Sequence, residues 1–167
     1  MANTQDNLKA AFAGESQANR RYLFFAERAE KDGQPGAARL FRAIAEAETV
    51  HARNHLQTLA GIGPTPDNLK EAISGEHYEF TKMYPEFIKQ AEADSNKRAQ
   101  LVMGYANQVE EIHHKMYQQA LEAVSSGKPV GDKSYSVCQV CGYTIEGEAP
   151  DKCPICGAPA ARFKKVE

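Results

Sequence analysis

The sequence predicts a mainly α chain, a four-helix bundle followed by a small, turn-rich module, and three observations predict it. Apolar residues recur at intervals of three and four through most of the first 126 positions, the spacing of amphipathic helices. Two Glu-x-x-His pairs, Glu48-Thr-Val-His51 and Glu110-Glu-Ile-His113, each follow a partner glutamate, Glu15 and Glu76, by a little over thirty positions. All four cysteines of the 167-residue chain, Cys138, Cys141, Cys153 and Cys156, lie near its end. The predicted division is therefore a helical bundle over 1–126, a linker over 127–133 and a cysteine module over 134–167.

The helical stretch from Leu8 to Leu59 is broken by Gly33-Gln-Pro35-Gly36, which predicts helices over about 3–32 and 36–60. Gly61-Ile-Gly63-Pro64-Thr-Pro66 ends the second and opens a connection. Helical spacing resumes from Leu69 to about Ala93 and from Lys97 to about Val124, with Asp94-Ser95-Asn96 as the corner. Four long helices with a long central crossover fit a ferritin-like bundle better than an up-down-up-down one. Such a crossover is also long enough for the second helix pair to belong to a neighbouring subunit. Pro85 removes a backbone donor inside the third helix and predicts a local irregularity there. Ser125-Ser-Gly127 through Gly131 has the small residues and proline of a linker.

A helical wheel places the candidate ligands on apolar stripes. Leu8, Phe12, Tyr22, Ala26 and Ala29 fall near Glu15. Phe41, Ile44, Ala45, Ala52 and Leu59 surround Glu48, with His51 to one side. Leu69, Ile73, Phe80, Met83 and Phe87 bracket Glu76, and Glu79 stands one turn along. On the fourth helix, Glu111-Ile-His-His114 competes with Glu110/His113. The stripe through Val102, Tyr105, Ala106, Val109, Met116 and Ala120 puts His113 inside and Glu111 opposite, which selects Glu110 and His113. His77 and His114 read as partly exposed neighbours, and His55, one turn beyond His51, as a group supporting the ligands or simply a core histidine.

An ionised carboxylate in an apolar core costs several kcal/mol unless a cation or hydrogen bonds compensate. Any one of these glutamates taken alone reads better as a solvated surface residue; converging together, they call for metal. A carboxylate followed by Glu-x-x-His, done twice, is the known ligand pattern of carboxylate-bridged di-iron and di-manganese bundles. One imidazole per metal among many carboxylates suits iron or manganese and is too hard a set for copper. Glu79 is a surplus carboxylate, which suggests a ligand shell that changes with oxidation state.

Cys138-Gln-Val-Cys141-Gly and Cys153-Pro-Ile-Cys156-Gly form two knuckles separated by residues 142–152. Each glycine permits the tight turn that aims backbone N–H groups at the thiolates. Four thiolates make a tetrahedral site for zinc or a single iron, and spacing alone favours zinc. Cys-x-x-Cys pairs in a reducing compartment indicate metal ligands before disulfides. The net charge of −2 and isoelectric point near 6.2 supply no basic field for nucleic acid. The N-terminus lacks a basic, then apolar leader, and no stretch reaches the ~18 apolar residues of a membrane span. The expectation is a cytoplasmic protein with neither nucleic-acid nor membrane partners.

Taken together, Gly14-Glu15-Ser-Gln-Ala18, the Glu48/His51 pair, Gly75-Glu76-His-Tyr-Glu79, Met83-Tyr84-Pro85, Glu110/His113 and the two knuckles resemble the rubrerythrins over essentially the whole chain. The knuckles, Cys-x-x-Cys-Gly-Tyr and Cys-Pro-x-Cys-Gly, resemble rubredoxin. The resemblance implies a rubredoxin-like iron centre held by the four tail cysteines, with zinc as the alternative metal, and two irons in the bundle. It carries over Glu15, Glu48, His51, Glu76, Glu79, Glu110 and His113 as di-iron ligands. His51 and Glu79 would exchange at one iron on oxidation, and Tyr22 and Tyr84 would hydrogen-bond ligand carboxylates. The implied activity is a non-haem di-iron peroxidase reducing hydrogen peroxide to water. Its electrons would come from a NAD(P)H-dependent rubredoxin reductase or a small electron-transfer protein. The implied assembly is a homodimer paired head to tail, the tail centre of one chain near the di-iron site of the other.

Two other functions use parts of the same sequence. A ferritin-like ferroxidase or iron-handling protein would need the bundle but not the cysteine tail. A zinc-ribbon interaction module on a structural bundle would leave the inward carboxylates without purpose.

Overall fold

The computed structural model describes residues 3–131 and 134–167. Positions 1 and 2 of the expected bundle and the last two positions of the expected linker, 132 and 133, lie outside the described residues. The chain forms two compact units that divide between Gly63 and Pro64.

The first unit is a helical hairpin of α1 (Thr4–Lys31) and α2 (Pro35–Thr58). Asn3 starts α1 through a capping box: its side chain accepts from the Asp6 N–H, and the Asp6 carboxylate accepts from the Asn3 N–H. The turn passes through Gly33 at φ 70°, a conformation that costs a residue with a Cβ but not glycine. Pro35 then occupies the first position of α2, where a missing N–H leaves nothing unsatisfied. The buried seam consists of alanines, Ala18, Ala26 and Ala29 on α1 and Ala38 and Ala45 on α2, and Phe41 packs against it. Asn19 ties the helices together, its amide donating to the Ala45 carbonyl (2.7 Å) and the Thr49 hydroxyl (2.9 Å).

The second unit begins with α3 (Thr65–Tyr78), which passes through a π-helical turn (Glu79–Met83) into α4 (Tyr84–Ala93) and returns as α5 (Lys97–Ser125). The irregularity expected at Pro85 is this π-turn. Pro85 lies in the first turn of α4, and the helix absorbs its missing donor by widening just before it. Asn96 caps α5 by accepting from the Ala99 N–H at 3.0 Å.

The expected long crossover is a correction. The connection comprises only residues 59–64, because α3 starts at Thr65 and not near Leu69. Pro64 and Pro66 look like helix breakers in sequence, yet they flank a helix N-terminus, where proline is tolerated.

The tail is a three-stranded antiparallel sheet in the order β2-β1-β3, formed by β1 (Tyr135–Cys138), β2 (Thr144–Glu146) and β3 (Phe163–Val166). Its register pairs Ser136 with Ile145 on one side and Lys165 on the other. Ser136 is buried and satisfied by donating to the Gly147 carbonyl at 2.7 Å. The tail rests on α5: a Cβ at Gly142 would lie 3.8 Å from Cγ1 of Val109, the most buried apolar side chain of that helix.

Candidate metal centres

Glu48 and His51 are one turn apart on α2, so the helix itself brings the His51 Nδ1 within 2.8 Å of a Glu48 oxygen. Glu15 of α1 completes a cluster whose ligand atoms all lie within 4.8 Å of one another. Glu48 is well sheltered, its side chain 14% exposed, whereas His51 is 55% exposed. Tyr22, on the same hairpin, stacks at ring-centroid distances of 6.3 Å against Phe25 and Phe41.

The second unit repeats the grip. His113 Nδ1 lies 2.7 Å from a Glu110 oxygen on α5, and Glu76 of α3 approaches the same nitrogen at 3.9 Å. These three form a second cluster within 4.8 Å, and all three are largely buried. Glu111 instead turns outward to Lys115 at 2.7 Å, so the choice of Glu110 over Glu111 agrees with the geometry. His114, read as a partly exposed neighbour, donates its Nδ1 proton to the Ile73 carbonyl and ties α5 to α3.

The second cluster carries more negative charge than its surroundings can solvate. Burial, then the nearby Glu110, push the Glu76 carboxyl up to about 7, although His113 pulls the other way. Glu79, at the start of the π-turn, is raised by burial and by Glu110. Tyr84 is raised by burial and by Glu110, Glu79 and Glu76, so its hydroxyl stands near those three carboxylates. His113 is raised first by its hydrogen bond to Glu110, against the opposing effect of its own burial. Closely set carboxylates that resist ionisation this way fit a cation, which would supply the missing positive charge. In each triad the histidine Nδ1 and the carboxylate oxygens lie close enough together to hold one metal ion.

The four cysteines converge as the knuckles predict. Cys138 and Cys156 sulfurs are 3.7 Å apart, and Cys141 and Cys153 are 3.5 Å apart. A tetrahedral site with metal–sulfur bonds of about 2.3 Å has edges of about 3.8 Å, so the donors fit a single ion. The two knuckles repeat the same turn: Gly142 and Gly157 at φ 85° and 75° donate their N–H groups to the carbonyls of Cys138 and Cys153, both at 2.9 Å. At Cys153 burial opposes ionisation, but the Cys156 and Ile155 N–H groups and the neighbouring thiols outweigh it and bring the thiol to about 7. Cys141 is pushed up, chiefly by burial.

Comparison with known proteins decides among the chemistries these donors allow. The rubrerythrin family profile matches residues 6–121, and the rubredoxin-like domain of rubrerythrin matches residues 137–164. This chain belongs to the rubrerythrin family. Rubrerythrin-2 of Clostridium acetobutylicum is 37% identical, the match covering 98% of this chain and 96% of that protein. Nigerythrin of Nitratidesulfovibrio vulgaris is 35% identical over 98% of this chain and 86% of its own length. A solved structure of mixed-valence nigerythrin aligns at 34% identity with a TM-score of 0.56, covering 99% of this chain and 88% of the other. The fold class is accordingly mainly α, of the ferritin-like four-helix kind, with a rubredoxin-like tail. Its rubrerythrin cofactors are two irons in the bundle and one metal at the four cysteines. Among the described residues, no helix is long and apolar enough to cross a membrane.

The wheel put the candidate ligands on the faces that meet in the structure but overstated the shelter around them. Ile44 and Phe87, both counted in apolar stripes, are 41% and 46% exposed. Ile44 stands on the two-helix hairpin, which buries only the seam between its helices, filled here by alanine. Sequence reasoning also passed over Thr144. Its hydroxyl lies 3.0 Å from His113 Nε2 and donates to the Gly142 carbonyl at 3.0 Å. The only sequence signal was its position three residues after Cys141.

Proposed function

We propose that this protein is a peroxide reductase, converting hydrogen peroxide, two protons and two electrons into two molecules of water. The observation that carries the reading is the combination of two Glu/Glu/His triads and a four-cysteine centre in one rubrerythrin-family chain. Glu15, Glu48, His51, Glu76, Glu79, Glu110 and His113 are the proposed di-iron ligands. Bound there, two ferrous ions would supply both electrons for O–O cleavage. Glu79 and Tyr84, both raised first by burial and then by Glu110, are the proposed proton carriers for the departing water. His51, gripped on one nitrogen and largely exposed, is free to exchange with Glu79, and Tyr22 serves the first triad as Tyr84 serves the second.

Electrons would enter at Cys138, Cys141, Cys153 and Cys156 from a NAD(P)H-dependent rubredoxin reductase or a small electron-transfer protein, in the cytoplasm. The family resemblance supports a homodimer. The solved nigerythrin neighbours include mixed-valence and all-ferrous states, as a redox-active iron site requires.

The test is rapid mixing of fully reduced protein with hydrogen peroxide or with dissolved oxygen, following the return of the colour of ferric iron at the four cysteines. Peroxide restoring colour much faster than oxygen supports the reading. Oxygen acting as fast or faster shifts it to a ferroxidase, and no colour at all removes the electron relay. Cys153→Ser should abolish NADH-driven turnover while a pre-reduced bundle still consumes peroxide.

A further inference from the structure

The π-turn of the second unit leaves a backbone acceptor without a helical donor. The Tyr84 N–H bonds the Glu79 carbonyl, one residue further back than an α-helix would reach. The next residue, Pro85, has no N–H to offer. The helical ladder therefore passes over the Phe80 carbonyl, which Tyr84 would serve in an α-helix and position 85 in a longer π-helix. A second acceptor faces this place from α5. The Oδ1 of Asn107 is shut away from solvent without a hydrogen-bond partner, the one such side-chain oxygen among the described residues. The register of the helices brings the two acceptors to one level. His114 of α5 donates to the Ile73 carbonyl of α3, and the Phe80 ring lies 5.4 Å from the His114 ring, centroid to centroid. Beyond the π-turn, Phe87 and Ala91 of α4 share a groove with Ala99 and Met103 of α5, so the pairing runs antiparallel throughout. About two turns along α3 from Ile73, and about two turns back along α5 from His114, stand Phe80 and Asn107. Buried acceptors left unmatched are rare and costly, and two acceptors cannot satisfy each other. One water molecule, with two protons to donate, satisfies both.

We propose that Asn107 Oδ1 and the Phe80 carbonyl hold one ordered water between α5 and the π-turn, and that Asn107 is thereby a positioning residue for Glu79, the first residue of that turn. The water site stands on the fold alone, and its consequence for Glu79 rests on the di-iron reading above. Were the Tyr84 N–H to return to the Phe80 carbonyl, the turn would be lost at this point and Glu79 would rotate on its helix. A water already donating to that carbonyl opposes the change.

A neutron structure of the full-length protein should contain a water within about 3 Å of both Asn107 Oδ1 and the Phe80 carbonyl, and Asn107→Leu should lose it. A carboxamide turned over so that its nitrogen donates to Phe80, or a site without water, would overturn the proposal. Amide exchange followed by NMR in zinc-loaded full-length protein reads the turn itself. The Tyr84 N–H should exchange faster in Asn107→Leu while α1 and α2 keep the parent rates, and Asn107→Ser, which retains an acceptor, should restore slow exchange. Unchanged Tyr84 exchange in Asn107→Leu, or failure of serine to rescue it, would overturn the hold on the turn. The link to Glu79 is read from the return of the tail-iron colour after peroxide. Asn107→Leu should slow that return roughly 10-fold and add nothing in a Glu79→Gln background, because the two changes then act at one place. Effects that multiply would overturn the positioning of Glu79. If the parent gives no response to peroxide, the peroxidase reading fails, and the neutron structure and amide exchange still decide the water site and its hold on the turn.

Discussion

The two triads are chemically the same and physically different. Each has two glutamates and a histidine, and in each a Glu-x-x-His turn draws Nδ1 to a carboxylate, at 2.8 Å for His51 and 2.7 Å for His113. Yet the His51 side chain is 55% exposed and the His113 side chain 26%. The first triad sits on a two-helix hairpin whose buried seam is alanine. The second sits between α3 and α5 with a third element, the tail, against the far side of its histidine. Helix spacing alone thus supplies a Glu/His pair, while the layer behind the pair sets how exposed its histidine is.

The largest effects should come from removing the carboxylate of either pair. Glu48→Ala and Glu110→Ala are each expected to lose bundle iron and all peroxide-driven colour return while keeping tail iron, as read by elemental analysis and the tail-iron spectrum. Either variant retaining two bundle irons would contradict the ligand assignment.

Next comes the asymmetry of the histidines. In metal-free bundle protein, acylation of histidine by diethyl pyrocarbonate, mapped by mass spectrometry, should be several-fold faster at His51 than at His113. Equal rates would show that the two rings are equally sheltered.

Acidity should separate the triads as well. The Glu76 carboxyl is raised from 4.5 to about 7 by burial and by Glu110, so between those values the folded protein binds a proton the unfolded chain has lost. Stability from this group is complete below about pH 4.5 and disappears as pH rises through about 7. His113, also raised, acts in the same direction at the upper end of that window. Metal-free protein should therefore melt lower at about pH 8 than at about pH 5, and a divalent cation should remove the difference. A melting temperature that rises with pH, or a drop that survives metal loading, would show that the second triad is not the source.

The smallest effect should be at the clamp of the first unit. Asn19→Ala removes two hydrogen bonds between α1 and α2 and is expected to cost about 1–2 kcal/mol in urea unfolding.

The parts of the site legible in the sequence are those set by local periodicity. A helix places positions three apart on one face, so Glu48/His51 and Glu110/His113 could be paired without coordinates, and Glu110 chosen over Glu111. The Cys-x-x-Cys-Gly turns are equally local, since both glycines adopt the positive φ that their place after the second cysteine demands. Pro85 announced the irregularity that became the π-turn. Pro64 and Pro66 misled, because a proline reads alike whether it ends one helix or opens the next.

The sequence by itself determined the helices, the ligand types and the four-thiolate site, because each depends on residues a few positions apart along a regular backbone. Only the tertiary structure decided that Glu76 is crowded enough to be raised to about 7, and that His113 is met on both sides, by Glu110 and by Thr144 and Gly142 of the tail. Those facts depend on side chains distant in sequence, 31 positions apart for His113 and Thr144, and no period in the chain encodes a meeting between a helix and a strand.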